Sequence, residues 1–142
     1  MSRPPAWRTD AARYPHSVEV PTRFQDLDPL GHVNNVAMAA IFESGRVAFN
    51  RRFDWPRGDG TRVLIARADI SYLAEAHFPA PITVANGVGR VGRSSWTIFS
   101  GAFQEGACVA LCDATLVFTG AEGSRGLPNV FREALERTMA GE

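Results

Sequence analysis

The sequence predicts an α+β domain in which one enclosed helix packs against a single antiparallel sheet. Three observations carry that expectation. A chain of 142 residues is the size of one domain. Residues 34–53 form its one long stretch with helical apolar spacing, whereas residues 61–120 alternate with the period of a strand. Short turns separate the alternating segments, and short turns join antiparallel neighbours. Area scaling gives a folded surface of roughly 7,200 Å² against roughly 22,000 Å² for the unfolded chain. A core of that size needs no disulfide or metal to hold it.

The elements follow in order. Residues 1–15, MSRPPAWRTDAARYP, contain no apolar run of signal-peptide length and read as a flexible leader to a single domain over residues 16–142. In HSVEVPTRF, Val18, Val20, Thr22 and Phe24 share a face, which predicts a strand over 16–24. Pro21 marks it as an edge or a bulge. Residues 25–33, QDLDPLGHV, are a loop punctuated by Pro29 and Gly31. Asn34 is a good N-cap for the long helix, in which Met38, Phe42, Gly45, Phe49 and Phe53 recur at helical spacing. The VAMAAIF run is apolar nearly all round, so the helix is expected to be enclosed. Arg46, Arg51 and Arg52 place positive charge in its C-terminal half, as the macrodipole prefers.

Residues 54–61, DWPRGDGT, read as a loop. In the following TRVLIARADISYL, Leu64, Ala66, Ala68, Ile70 and Tyr72 are expected on one face and Arg67, Asp69 and Ser71 on the other. PITVANGVGRVG and SSWTIFSGAF form two strands joined at Gly92-Arg93-Ser94. QEGA is a turn, CVALCDATLVFTG the last strand, and LPNVFREALERTMA a short C-terminal helix with Val130, Leu135 and Met139 apolar. Five strands and one helix leave a sheet edge and a helix face open, which makes a homo-oligomer, dimer or tetramer, the expected form.

Composition removes several classes of function. Fifteen basic and fifteen acidic residues cancel, which argues against a nucleic-acid coat or a polybasic membrane anchor. No apolar run reaches the roughly 18–20 residues of a membrane span. Every basic residue is arginine, so Schiff-base lysine chemistry and a P-loop lysine are excluded. Guanidinium groups suit carboxylate and phosphate recognition, so an anionic small-molecule ligand is still open. Cys108 and Cys112 lie about 13 Å apart along one strand, beyond the roughly 7 Å that a disulfide allows. They read as buried thiols, which suits a reducing cytoplasm. No His/Cys/Asp set has metal-ligand spacing, no cofactor is implied, and GVGRVG lies between strands rather than before a helix.

The chemistry concentrates in RFQDLDPLGHVNN, from Arg23 to Asn35. Two carboxylates, an imidazole and two amides lead directly into a helix N-terminus. The first backbone N–H groups of a helix lack intrahelical partners and can polarise a carbonyl oxygen. A carboxylate held beside them could act on a reactive carbonyl, and a thioester is one, because its thiolate leaves readily. Asp-rich loops before helices also serve simply as caps and turns.

The run D-x-D-x-x-G-H-V-N-N, followed by a helix carrying Glu43 and Arg46, resembles the 4-hydroxybenzoyl-CoA thioesterase family of hotdog-fold proteins, over about Val18 to Phe118. The resemblance implies a long helix wrapped by an antiparallel sheet, subunits paired with active sites at their interfaces, and hydrolysis of an acyl-CoA or acyl-carrier thioester. Carried over residue by residue, it makes Asp28 the nucleophile or general base. It places the polarising backbone N–H at Asn35, so that Asn35→Ala is expected to retain activity. Asp26 is assigned to the loop scaffold, and His32 to substrate positioning or a structural hydrogen bond. Glu43 is either an auxiliary acid or the ion-pair partner of Arg46. The stretch Gly89 to Ser95 resembles the family's CoA-binding strand junction, which makes Arg90, Arg93, Ser94 and Ser95 candidate substrate-binding residues; a hairpin with solvated arginines is the simpler alternative. Met38, Ala39, Phe42 and Tyr72 are candidate pocket walls. Two other functions fit less closely: a hotdog hydratase or dehydratase using an Asp–His pair, from which Gly31 and Asp28 depart, and a non-catalytic acyl-ligand binder.

Overall fold

The computed structural model describes residues 3–56, 58 and 60–141. Met1 and Ser2 of the expected leader, Arg57 and Asp59 of the expected loop, and Glu142 of the domain lie outside them. The strands are β1 (His16–Val20), β2 (Arg62–Tyr72), β3 (Ile82–Val91), β4 (Ser95–Gln104), β5 (Ala107–Gly120) and the two-residue β6 (Gly123–Ser124). They form one antiparallel sheet in the order β1-β3-β4-β5-β2, with β6 added to β5. The helices are α1 (Asn35–Asn50) and α2 (Asn129–Glu136). A long helix held within a curled antiparallel sheet is the hotdog fold.

Helix α1 begins where its cap predicts, because the Asn34 side-chain oxygen accepts the Ala37 N–H at 2.7 Å. Its Met38, Ile41 and Phe42 meet Ile82, Val84, Ala102, Ala110 and Cys112 of the sheet in the main core. Gly45 lets the helix approach β3: a Cβ there would lie 2.7 Å from Val84 Cβ, closer than real contacts allow. The Gly45 carbonyl then accepts a hydrogen bond from the Asn86 amide at 3.2 Å. The helix ends at Asn50, short of the expected Phe53. Phe53 leaves the helix and packs edge-on against Phe49 at 5.2 Å, where α2 closes a second core with Phe131 and Leu135.

Four expectations are corrected. First, β1 stops at Val20, before Pro21, which has no N–H to donate to a ladder. Phe24 is consequently exposed rather than in line with Val18. Second, a bulge at Ala66 shifts the β2 register, so that Ile65 faces Leu116 while Arg67 faces Thr115. Val63 and Ile70 therefore share the helix-facing side, and Leu64 lies on the other face, 47% exposed. Third, α2 buries Phe131 and Leu135, and Val130 is exposed. Fourth, the segment read as a flexible leader is folded onto the sheet's outer face. Its Arg8 is buried, pairs with Asp113 at 2.7 Å, bonds the Tyr14 hydroxyl at 3.1 Å and lies 4.2 Å from the Phe99 ring centre. Trp7 and Tyr14 complete that cluster. Both cysteines are free, and burial pushes the Cys112 thiol up to about 11.

Candidate active site

The loop between β1 and α1 is a small antiparallel ladder. The Asn34 N–H donates to the Asp26 carbonyl at 2.8 Å, Leu27 bridges Val33, and the Asp28 N–H donates to the His32 carbonyl at 2.8 Å. Pro29, Leu30 and Gly31 form the tip, where Gly31 adopts a φ of 82° that a side chain would resist. Asp28 Oδ1 accepts two backbone N–H groups, from Leu30 at 2.9 Å and His32 at 3.0 Å. The ladder leaves Asp28 two residue pairs, roughly 7 Å, from the Asp26–Asn34 pair that opens α1. At that opening the backbone N–H groups of Asn35 and Val36 have no protein acceptor among the described residues. The half-buried Asp28 and the N-terminus of α1 thus stand at the two ends of the same short ladder.

Asp26 braces this loop from below. It is buried, accepts the Arg23 N–H at 2.9 Å and the Arg23 guanidinium at 2.8 Å, and those bonds hold its carboxyl below the usual aspartate range. The His32 ring turns away from Asp28. Its Nε2 lies 3.1 Å from Glu75 Oε2, and the His77 ring packs edge-on at 5.3 Å. The Val33 N–H donates to the Ala76 carbonyl at 2.8 Å, so residues 75–77 hold the loop at His32 and Val33. Glu75 and His77 carry no motif in the sequence. Only the path of the chain between β2 and β3 brings them here. Tyr72, at the end of β2, donates its hydroxyl to the Asn35 carbonyl at 3.4 Å, beside the helix start.

The other candidates lie elsewhere. Glu43 is exposed, eight residues and roughly 12 Å along the helix from Asn35. No ion pair joins it to Arg46 among the described residues. Met38 and Phe42 are core residues, while Ala39 is exposed. Arg90, Arg93, Ser94 and Ser95 sit at the far end of β3 and β4, about 30 Å of strand from Ile82, which lies at the loop's end of the sheet. Arg90 and Arg93 are exposed, and Arg90 lies 5.7 Å from the Phe99 ring centre. The Gly92 and Arg93 carbonyls accept bonds from Arg132 of α2, and the Ser94 carbonyl accepts the Phe118 N–H. Within one chain these residues and Asp28 are therefore not neighbours. Among the described residues, no cluster of three or more His, Cys, Asp or Glu side chains is arranged to hold a metal ion.

The chain belongs to the thioesterase-like superfamily, whose family model matches residues 22–135. Solved structures agree. It is 30% identical to a thioesterase of Thermus thermophilus crystallised with coenzyme A and zinc, covering 88% of this chain and 95% of that one with a TM-score of 0.78. It is 28% identical to the PA5185 protein of Pseudomonas aeruginosa strain PAO1, covering 92% and 96% with a TM-score of 0.77. It is 26% identical to the PA2801 protein of Pseudomonas aeruginosa, covering 84% and 96% with a TM-score of 0.73. No curated protein matches the chain.

Proposed function

We propose that the protein hydrolyses an acyl-CoA, or an acyl-carrier thioester, to the free acid and thiol, with Asp28 as the reacting carboxylate. The observation that carries this reading is the ladder from Asp26–Asn34 to Asp28–His32. It puts Asp28 on the same short ladder that leads into the unpaired N–H groups of α1, which supports the reading. A thioester carbonyl held between the two would point its oxygen at the Asn35 N–H, which stabilises the negative charge that develops on attack. Asp28 either attacks the carbonyl carbon, forming an anhydride that water then opens, or takes a proton from an attacking water. In both routes the C–S bond breaks, the thiolate leaves with a proton, and one water is consumed.

The hydratase alternative needs the Asp28 carboxylate on the His32 ring. Asp28 instead bonds the His32 backbone, and the ring faces Glu75.

The substrate's nucleotide end is read onto a second subunit. Strand β2 is an eleven-residue edge with Leu64, Ile65 and Tyr72 about half exposed, and the chain exposes 8286 Å² where its size calls for roughly 7,200 Å². Antiparallel pairing of two β2 edges sets the Arg62 end of one beside the Tyr72 end of the other. That brings the partner's β3–β4 turn to the Asp28 end of the sheet, where Arg90 and Arg93 could take CoA phosphates. The coenzyme A bound to the Thermus thermophilus relative supports this choice of ligand.

The test is a panel of acyl-CoAs assayed by release of free thiol, on the native protein and on Asp28→Ala. Hydrolysis that falls by about a hundredfold or more in the variant is expected. Full activity in Asp28→Ala would remove Asp28 from the chemistry, and binding without turnover of any acyl-CoA would make the protein a ligand carrier.

A further inference from the structure

His16, at the start of β1, and Asn86, its partner on β3, face inward toward the C-terminal half of α1. Asn86 is fully buried, and both ends of its side-chain amide are engaged. Its Oδ1 accepts the Ser100 hydroxyl of β4 at 2.7 Å, and its Nδ2 donates to the Gly45 carbonyl of α1 at 3.2 Å. A carbonyl can only accept, so the Gly45 bond fixes which end of the amide is nitrogen. The same Nδ2 lies 3.2 Å from His16 Nδ1. Nδ1 must therefore accept, which puts the ring proton of neutral His16 on Nε2. An imidazolium would instead set an N–H on Nδ1 against the N–H of Asn86, and neither can accept.

We propose that His16 is an acid-sensitive latch: neutral, it ties β1 through Asn86 to β3, β4 and α1, and on protonation it lets go of Asn86 and loosens β1. The surroundings offer the charge no compensation. Strands β3 and β4 present Asn86 and Ser100, neither of which titrates. Phe49 of α1 packs against the imidazole with 5.3 Å between ring centres, and no carboxylate lies within ion-pairing distance among the described residues. Glu19, the acidic residue of β1, is three positions on and so faces the other side of the strand. Burial, and then the positive charge of Arg52 beyond the end of α1, hold the imidazole below the usual histidine range. A group held lower in the folded chain than in the unfolded one contributes its stability in full above the unfolded value, about 6.5. It loses that contribution as pH falls toward the folded value. Strand β1 is the element exposed to the loss, because it is a five-residue edge strand held by β3. The proposal goes beyond thioester hydrolysis and does not depend on it, because it is read without turnover.

The nitrogen resonances of the His16 ring, read by NMR at about pH 7.5, test the resting state. The proton is expected on Nε2, and a proton on Nδ1 would overturn the proposal. Urea midpoints from about pH 8 to pH 5 test the latch on the native protein, His16→Asn and His16→Phe. Asparagine places an oxygen where Nδ1 stood, phenylalanine keeps a ring against Phe49, and neither titrates. Below about pH 6.5 the folded-to-unfolded ratio of the native protein should fall by up to about tenfold per pH unit relative to either variant. Native and variant profiles that run parallel would overturn the proposal. Backbone amide exchange locates the release. Between about pH 7 and pH 5.5 the protection of the β1 amides should drop in the native protein and hold in His16→Asn, with the β4 amides as reference. Protection lost equally from β1 and β4 would overturn a local latch, because the whole domain would then be opening. Should both variants fail to fold, the tautomer and the amide exchange of the native protein still decide.

Discussion

Asp28 Oδ1 accepts the backbone N–H of His32 at 3.0 Å, so the carboxylate proposed to react is also the brace of its own loop. Asparagine retains an oxygen at that position and can keep both the His32 and Leu30 bonds, but it carries no charge. Asp28→Asn should therefore melt close to the native protein while losing about a hundredfold or more in kcat. Asp28→Ala should lose the activity and also about 1–2 kcal/mol of stability, as two hydrogen bonds go. Thermal melts alongside thiol-release kinetics separate the two effects. Equal activity in Asp28→Asn and the native protein would disprove a charged role.

The polarising group proposed at the head of α1 is a backbone N–H, which only proline removes. Asn35 is the first helical residue, a position where proline is well accepted, and the extended ψ of 164° at Asn34 suits a following proline. Asn35→Pro should fold normally and lose roughly 10²- to 10³-fold in kcat, whereas Asn35→Ala should stay active. A proline variant with native kcat would place the oxyanion elsewhere.

Gly45 is a poor helix former, and replacing it by alanine should add about 1 kcal/mol from propensity alone. Contact with Val84 opposes that gain, because both Val84 Cβ and Cγ2 would lie within 3.2 Å of the new methyl group. Overpacking of this kind costs about 1–3 kcal/mol. Gly45→Ala should thus unfold at lower urea than the native protein. A stabilised variant would mean that α1 stands farther from β3.

Asp26 is held ionised by Arg23, and its folded pKa is lower than its unfolded one. Such a group contributes stability in full above the unfolded value of about 3.9 and loses it as pH falls toward the folded value. Asp26→Asn should therefore flatten the stability profile below about pH 4, where the native protein keeps falling. Urea midpoints measured from pH 7 down to pH 2.5 give the comparison. Parallel profiles would show that Asp26 is not linked to folding.

Much of this was legible from neighbouring residues. The Asn34 cap acts over three positions, and the β4–β5 turn rests on Glu105 and Gly106, both at positive φ; each leaves a local signature. So did the D-x-D loop. The bulge at Ala66 left none, because its position depends on the pairing of β2 with β5. Nor did the docking of Arg8, whose partner Asp113 lies at the other end of the chain. His32 was visible as a candidate, but its attachment to Glu75 was not.

Although Val36, Ala39, Ala40 and Val47 leave one face of α1 exposed where the sequence predicts an enclosed helix, the order of elements, the start and inward face of α1 and the chemical groups gathered between Asp26 and Asn35 are legible in the chain itself. These follow from periodicity, capping and turn preferences, which are properties of short segments. The tertiary structure alone decided which of those groups meet. It drew His32 to Glu75 and put the Arg90–Ser95 turn at the opposite end of the sheet from Asp28. Strand register and helix-to-sheet distance fix such meetings, and both are set by packing summed over the whole core.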